Sequence, residues 1–89
     1  MNRSEILDTA KQYCMVDRAA THGDAEDSFG LIATYWSAHL DANVTAADVA
    51  TMMVLFKLAR VKNNPKHTDN FVDAAAYAAL SGEISTGKA

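Results

Sequence analysis

The segment between Thr45 and Lys62 is the strongest constraint on the fold, because it has the pattern of a helix that is apolar in nearly every direction around its axis. A helix that is apolar all round is normally buried all round. Three further short helices cannot enclose it, so we expect a second copy of the chain to cover part of it, with Met53 and Phe56 at the contact. The apolar residues of the segment are Val49, Ala50, Met52, Met53, Val54, Leu55, Phe56, Leu58, Ala59 and Val61.

The size and the cysteine content of the chain also favour self-association. The chain has 89 residues, which is enough for one domain. A monomer of this size buries only about 60–65% of the surface that its unfolded chain exposes. Cys14 is the only cysteine, so an intrachain disulfide is impossible, and no Cys/His cluster has the spacing of a zinc site. We expect no cofactor, which leaves assembly as the source of additional stability.

Breaks in the hydrophobic period divide the chain into four predicted helices. These helices span residues 4–16, 24–40, 45–62 and 69–81, with Ser4, Asp24, Thr45 and Thr68 as N-caps and with Asn43 and Gly82 at C-terminal ends. Phe29 and Trp36 recur at helical spacing and are expected in the core. The expected fold is all-α, a compact four-helix bundle of residues 1–84 with a flexible tail over residues 85–89, assembling as a homo-oligomer.

Charge and hydropathy limit the partners and the compartment. The net charge of -3 is unlike the basic surface that wraps duplex nucleic acid, although it leaves room for a local basic pocket. The N-terminal residues have no signal-peptide core, and the longest apolar run, residues 52–56, is too short to span a bilayer. With a single cysteine, the sequence predicts a cytoplasmic protein without a membrane partner.

Lys57 and Arg60 lie three residues apart and therefore share a face of the third predicted helix. Lys57 has apolar neighbours there, and an unpaired buried charge is very costly, so an anion must compensate it. That anion is either the carboxylate of Asp73, in a structural salt bridge, or the phosphate of a ligand. The two interpretations overlap if the pair lines a pocket.

Acidic and aromatic side chains on the other helices allow similar alternatives. Asp69, Asp73 and Tyr77 form a polar stripe on the alanine-rich fourth helix, where Tyr77 is either a core residue bonded to Asp73 or a platform for a base. Asp24, Glu26 and Asp27 begin the second helix, where acids either favour the helix dipole or hold magnesium. Cys14 lies on an apolar stripe and is expected to be buried filler.

The chain resembles a family of short all-helical proteins from bacteriophages and prophages, which carries no settled activity. The resemblance covers about residues 4–83. The residues that carry it are Asp17-Arg18, His22-Gly23-Asp24 where relatives commonly read Tyr-Gly-Asp, Trp36-Ser37-Ala38, Asp48-Val49-Ala50, Met53, Lys57-Leu58-Ala59-Arg60, Asn64-Pro65, and the stretch from Asp69 through Asp73 to Ala76-Tyr77-Ala78-Ala79-Leu80.

A more distant resemblance is to the MazG-like all-α nucleotide pyrophosphohydrolases, in which two Glu-x-x-Glu/Asp pairs hold magnesium. Asp73 resembles the last acid of that pattern. The residue three positions earlier is Asn70 rather than Glu, and the facing helix carries Lys57 and Arg60 in place of glutamates. Two cations at this place would repel magnesium and attract phosphate. The resemblance therefore implies nucleotide binding more than nucleotide hydrolysis.

The preferred hypothesis is that the protein binds a phosphorylated small molecule, a nucleotide, without metal or catalysis, and that it sequesters a cyclic nucleotide immune signal of the phage host. The expected ligand-binding residues are Lys57 and Arg60 for phosphate, Asp73 and Asp69 beside them, and Tyr77, Arg18 and His22 for the base. One alternative is a diverged magnesium-dependent hydrolase that uses Asp24, Asp27, Asp69 and Asp73. The other alternative is a protein-interaction module without a ligand.

Overall fold

Four α-helices make up the part of the chain that the computed structural model describes, residues 1–17 and 25–87. They are α1 (Arg3–Gln12), which continues into a π-helical turn (Tyr13–Asp17), α2 (Ala25–Leu40), α3 (Ala46–Asn63) and α4 (Thr68–Thr86). Within these ranges there is no strand, so the prediction of an all-α fold with four helices is confirmed. The predicted cap at Asp24 lies outside the described residues.

The N-terminal ends of α1 and α3 are fixed by two capping boxes, one expected and one not. Thr45 caps α3 by accepting the Asp48 N–H at 3.1 Å, and the Asp48 carboxylate accepts the Thr45 N–H at 3.0 Å, as predicted. The prediction of Ser4 as the cap of α1 is wrong, because Asn2 and Glu5 form the reciprocal pair at 2.8 and 2.9 Å. A box satisfies two N–H groups that the helix itself cannot, whereas Ser4 lies within the helix.

The C-terminal ends of α2 and α4 also differ from the prediction. Asp41, and not Asn43, takes the left-handed conformation after α2, with φ at 51°, and the Ala42 N–H donates to the Ser37 carbonyl at 3.2 Å. This is a Schellman-type ending, in which the residue directly after the helix must be left-handed. Gly82 does not end α4, which continues to Thr86 and is capped by Gly87 at φ 72°. The extra turn packs Ile84 against the core.

α4 is the central helix, because both clusters of buried residues depend on it. On one side Val72 and Ala76 pack against Ala10 of α1, with Ile6 and Cys14 at the edge of this cluster. On the other side, residues of α4 pack against a cluster formed by α2 and α3. Its buried members are Phe29, Ala33, Val49 and Ala50, and its half-buried members include Trp36, Tyr77, Leu80 and Ile84. The expected core positions of Phe29 and Trp36 are confirmed.

α3 and α4 run antiparallel and make the largest contact between helices. Lys57 pairs with Asp73, and the hydroxyls of Thr51 and Ser81 lie 2.6 Å apart, so positions that rise along α3 meet positions that fall along α4. The reversal takes place in the turn around Pro65, whose ring cannot continue α3.

The face of α3 that points away from α2 and α4 is apolar and exposed. Only Val49 and Ala50 of this helix are buried. Met52, Leu55, Phe56 and Leu58 are between 39% and 61% exposed. Met53, which we expected at a subunit contact together with Phe56, is half-buried within the chain itself. In the described part of the chain no helix combines the length and the hydropathy needed to cross a lipid bilayer.

The core assignment predicts unequal effects of two substitutions on α2. Phe29→Ala should lower the free energy of unfolding by about 3–5 kcal/mol, because it leaves a cavity where a fully buried ring packed. Leu31→Ala, two residues along the same helix, should change it by less than about 0.5 kcal/mol, because Leu31 is 56% exposed. Urea denaturation followed by circular dichroism measures both values. Equal effects would contradict the assignment.

Candidate ligand-binding groove

Lys57 is neutralised inside the protein by Asp73. Its ammonium nitrogen lies 2.9 Å from a carboxylate oxygen of Asp73, and the two side chains are 16% and 28% exposed. Of the two interpretations that the sequence allowed for Lys57, the structure contains the salt bridge between α3 and α4. A cation that is already compensated has little remaining charge to offer a phosphate. The pair therefore acts first as a structural clamp, and the neighbouring cation becomes the better candidate for binding.

Arg60 has no carboxylate partner among the described residues. Its guanidinium carbon lies 4.8 Å from the centre of the Phe56 ring, one turn earlier on α3. Such a cation–π contact orients the guanidinium plane without neutralising its charge. Arg60 thus presents up to five N–H donors whose positive charge is uncompensated.

A groove of about 570 Å³ lies beside Arg60, where α3 ends and α4 begins. It is lined by Phe56, Ala59, Arg60, Asn63, Asn64, His67 and Asn70. These residues supply a guanidinium group, an imidazole, three carboxamides and one aromatic ring, and none of them is a carboxylate. Its volume lies within the range of small-molecule sites, about 300–1,000 Å³. The groove is therefore suited to an anionic ligand that also forms several neutral hydrogen bonds.

The N-terminal end of α4 adds positive potential to this groove. His67 is the N-cap residue and makes no capping hydrogen bond with its side chain. The Asn70 N–H donates to the His67 carbonyl at 3.2 Å, whereas the N–H groups of Thr68 and Asp69 have no partner among the described residues. Free N–H groups and the helix dipole make a helix N-terminus attractive to anions.

Asn70 is a polar residue of the groove that is buried without a hydrogen-bond partner for its side chain. It is only 6% exposed, and within the described part of the chain its carboxamide makes no hydrogen bond. A buried polar group that is left unsatisfied costs about 1–3 kcal/mol. Most buried polar groups in proteins are satisfied, so an exception requires an explanation. A ligand that bonds the carboxamide provides one.

The other predicted site residues that the structure describes do not line the groove. Tyr77 is half-buried in the core, with its ring centre 6.1 Å from that of Phe29. Asp69 is exposed in the first turn of α4, and Asp27 is exposed in the first turn of α2. Arg18 and His22 lie outside the described residues, as does Asp24.

Four polar groove residues were not predicted as site residues from the sequence: Asn63, Asn64, His67 and Asn70. The first three belong to the run Asn63-Asn64-Pro65-Lys66-His67, which the sequence identifies only as a tight connection. Two adjacent amides and a histidine around a proline are a weak signal, since the same residues are common in turns. Nothing in the sequence indicates that Asn70 lines a binding groove, and only its burial in the structure distinguishes it.

A metal centre is not formed by the described residues. No group of three or more His, Cys, Asp or Glu side chains converges there at a distance that could hold an ion. Asp73 is engaged with Lys57. The hydrolase hypothesis also requires Asp24, which lies in the undescribed segment, so the four-acid site stays a prediction.

Comparison with known proteins gives a family model and two curated relatives. The model, described as a domain of unknown function (DUF6378), matches residues 5–85. The relatives are the Gene 55 protein of Mycobacterium phage L5, 42% identical over 76 residues, and the Gene 55 protein of Mycobacterium phage D29, 37% identical over 73 residues. These matches cover 84% and 82% of this chain but 49% and 48% of the relatives, so the chain spans about half their length. No solved structure matches the chain.

These findings separate the two resemblances drawn from the sequence. The resemblance to bacteriophage proteins is confirmed, because both relatives are phage gene products. The more distant resemblance to MazG-like pyrophosphohydrolases receives no support from the family model or from the relatives. Neither relative's name states an activity.

The ion pair between α3 and α4 predicts a measurable coupling energy. Lys57→Met and Asp73→Asn should each lower the free energy of unfolding. The loss in the double variant should be smaller than the sum of the two single losses by about 1–2 kcal/mol, because only the single variants leave a poorly solvated group without its partner. Urea unfolding of the four proteins measures this coupling. A coupling below about 0.3 kcal/mol would show that solvent screens the pair.

Proposed function

The chain belongs to the DUF6378 family, and we propose that its groove binds a phosphorylated small molecule, a nucleotide, without catalysis. One observation carries this proposal: Arg60 and the buried Asn70, which have no carboxylate partner and no side-chain hydrogen bond among the described residues, line the same groove at the N-terminal end of α4. The cation and the helix end suit a phosphate, and the carboxamide suits a neutral polar group of the same ligand.

The phosphate would lie between Arg60 and the first turn of α4. The guanidinium would donate charge-assisted hydrogen bonds, and the N–H groups of Thr68 and Asp69 would add main-chain donors. Lys57 contributes indirectly, because its pairing with Asp73 fixes the register of the two helices that form the groove. From the sequence we expect Lys57 and Asp73 to contact the ligand directly. In this proposal Arg60 makes the contact, and the Lys57–Asp73 pair only holds the helices in register.

The rest of the groove suits a nucleobase better than a bare anion. Asn63, Asn64 and Asn70 each offer an acceptor oxygen and an NH₂ donor, which is the combination that recognises the edge of a base. The Phe56 ring offers an apolar surface near Arg60. Inorganic phosphate would use only one end of a groove of about 570 Å³. A nucleotide would use both ends.

Binding without turnover would make the protein a sequestering agent. Its curated relatives are phage proteins, and in an infected host the most useful nucleotide to withdraw would be a cyclic nucleotide immune signal. We further propose that the protein is a homo-oligomer, since the apolar face of α3 remains exposed in the single chain. An activity assay must distinguish this proposal from magnesium-dependent hydrolysis through Asp24, Asp27, Asp69 and Asp73.

Arg60→Ala should weaken nucleotide binding at least about tenfold, because each charge-assisted hydrogen bond contributes on the order of 1.5–3 kcal/mol. Isothermal titration with a panel of linear and cyclic nucleotides measures the affinity, and the melting temperature of the wild-type protein should rise with every ligand that binds. A chelator should change neither result.

Arg3→Ala is the matched control for Arg60→Ala, because it removes the same charge from an exposed position at the start of α1. It should bind nucleotides like the wild-type protein. The proposal fails if no member of the panel raises the wild-type melting temperature, or if the two arginine variants lose affinity equally. Cleavage of a bound nucleotide that requires magnesium would favour the hydrolase instead.

Asn70→Leu should separate binding from stability. Leucine has a similar size, and it removes a buried polar group that has no hydrogen-bond partner within residues 1–17 and 25–87, so the free energy of unfolding should rise by about 1–3 kcal/mol. Nucleotide affinity should fall, because the ligand loses its partner. Urea unfolding and titration of the same preparation test both effects. A destabilised variant would show that the carboxamide is already satisfied, which contradicts its role as a ligand contact.

A further inference from the structure

The exposed face of α3 has the residue spacing of a helix that pairs with another helix. Asp48, Met52, Leu55, Ala59 and Lys62 follow one another at intervals of four, three, four and three residues. This is the spacing that keeps one stripe of a helix facing a partner helix. All five residues are exposed in the single chain. We refer to these five residues as the α3 stripe.

The charges at the two ends of the α3 stripe favour an antiparallel partner of identical sequence. Asp48 lies at one end, Lys62 at the other, and Leu55 lies midway between them. In an antiparallel pair of two copies, a two-fold axis at Leu55 brings Asp48 against Lys62 of the partner subunit, twice. A parallel pair would place like charges together, which is unfavourable.

The apolar area is large enough for a dimer. Met52, Leu55, Phe56 and Leu58 are 39%, 61%, 46% and 49% exposed. With about 200 Å² for a fully exposed large side chain, they offer roughly 400 Å² per protomer. Homodimer interfaces are about 65% apolar, so two such faces correspond to roughly 1,200 Å² of buried surface. Biological interfaces should exceed about 1,000 Å².

We infer that the protein forms an antiparallel two-fold dimer through the α3 stripe, and that the second copy supplies the missing wall of the groove. Phe56 and Ala59 connect the two features, because both line the groove and both border or belong to the stripe. The groove lies along the C-terminal half of α3, which in this dimer faces the N-terminal half of the partner helix. The inference deepens the proposed function, since the site would be incomplete in one chain.

Leu55→Asp tests the dimer without touching a residue that lines the groove. Leu55 is 61% exposed, so the charge should not disturb the fold of one chain, whereas in the dimer it would be buried on the two-fold axis. Sedimentation equilibrium should give twice the 9.6 kDa chain mass for the wild-type protein and the monomer mass for the variant. Leu31→Asp is the matched control, because Leu31 is 56% exposed on α2, and it should remain dimeric.

Charge reversal tests the orientation. Lys62→Glu should raise the dimer dissociation constant about tenfold or more, because two attractive pairs become repulsive. Adding Asp48→Lys should restore the dimer by exchanging the two charges. Asp48 also caps α3, so the readout is the dimer fraction and not the stability. Failure of the double variant to recover would overturn the antiparallel arrangement.

Closure of the groove can be measured without any nucleotide. Phenylglyoxal modifies exposed arginines, and mass spectrometry locates the product. Arg60 should react several-fold faster in Leu55→Asp than in the wild-type protein, with Arg3 as the internal reference. Equal rates would overturn the shared wall. A monomeric wild-type protein, or loss of the dimer in Leu31→Asp, would overturn the interface. Nucleotide binding by a monomeric wild-type protein would support the proposed nucleotide binding and overturn the proposed oligomer, and a dimer that binds no nucleotide would do the reverse.

Discussion

The antiparallel contact between α3 and α4 holds the described helices in one arrangement. α4 lies between α1 and the pair of α2 and α3, so both core clusters include its residues. The register of the contact is fixed at two points, the Lys57–Asp73 ion pair and the paired hydroxyls of Thr51 and Ser81. A one-turn slip would separate both pairs and leave Lys57 without compensation. The groove therefore has a defined shape because this register is defined.

The same register explains why polar groups gather at one end of the helix pair. Where the chain reverses around Pro65, the last turn of α3 and the first turn of α4 lie side by side, and the connecting residues are too few to cover them. Asn63, Asn64, His67 and Asn70 meet Arg60 at this end. Among the described residues the Asn70 amide has no hydrogen-bond partner and α4 has no side-chain cap, and both features lower stability. The packing of the core offsets this loss, a pattern typical of sites that are arranged for a ligand.

Much of the fold follows from local patterns, and the errors have local causes. The four helices follow from the hydrophobic period, and Thr45 with Asp48 is a recognisable capping box. Ser4 satisfies the local pattern of an N-cap, but residue type alone does not identify a cap until its hydrogen bonds are known. Gly82 permits a helix to end without requiring it, and packing of Ile84 against the core favours continuing the helix. The sequence shows that Lys57 needs a counter-ion, because its surroundings are apolar, but it leaves Asp73 and a ligand phosphate as alternatives.

Local patterns predict the helices and the surplus of apolar surface on α3, because propensity and hydrophobic period act over a few residues or on one helix face. They also show that Lys57 needs a counter-ion, but they leave Asp73 and a ligand phosphate as alternatives. The packing of α4 against α3 supplies Asp73, leaves Arg60 without a carboxylate partner among the described residues, and places the polar groups at the groove. Lys57 and Arg60 are three residues apart on one helix, yet Lys57 is neutralised by Asp73 of α4, whereas Arg60 lines the groove. That difference depends on the rotation and register of two packed helices, which no local pattern encodes.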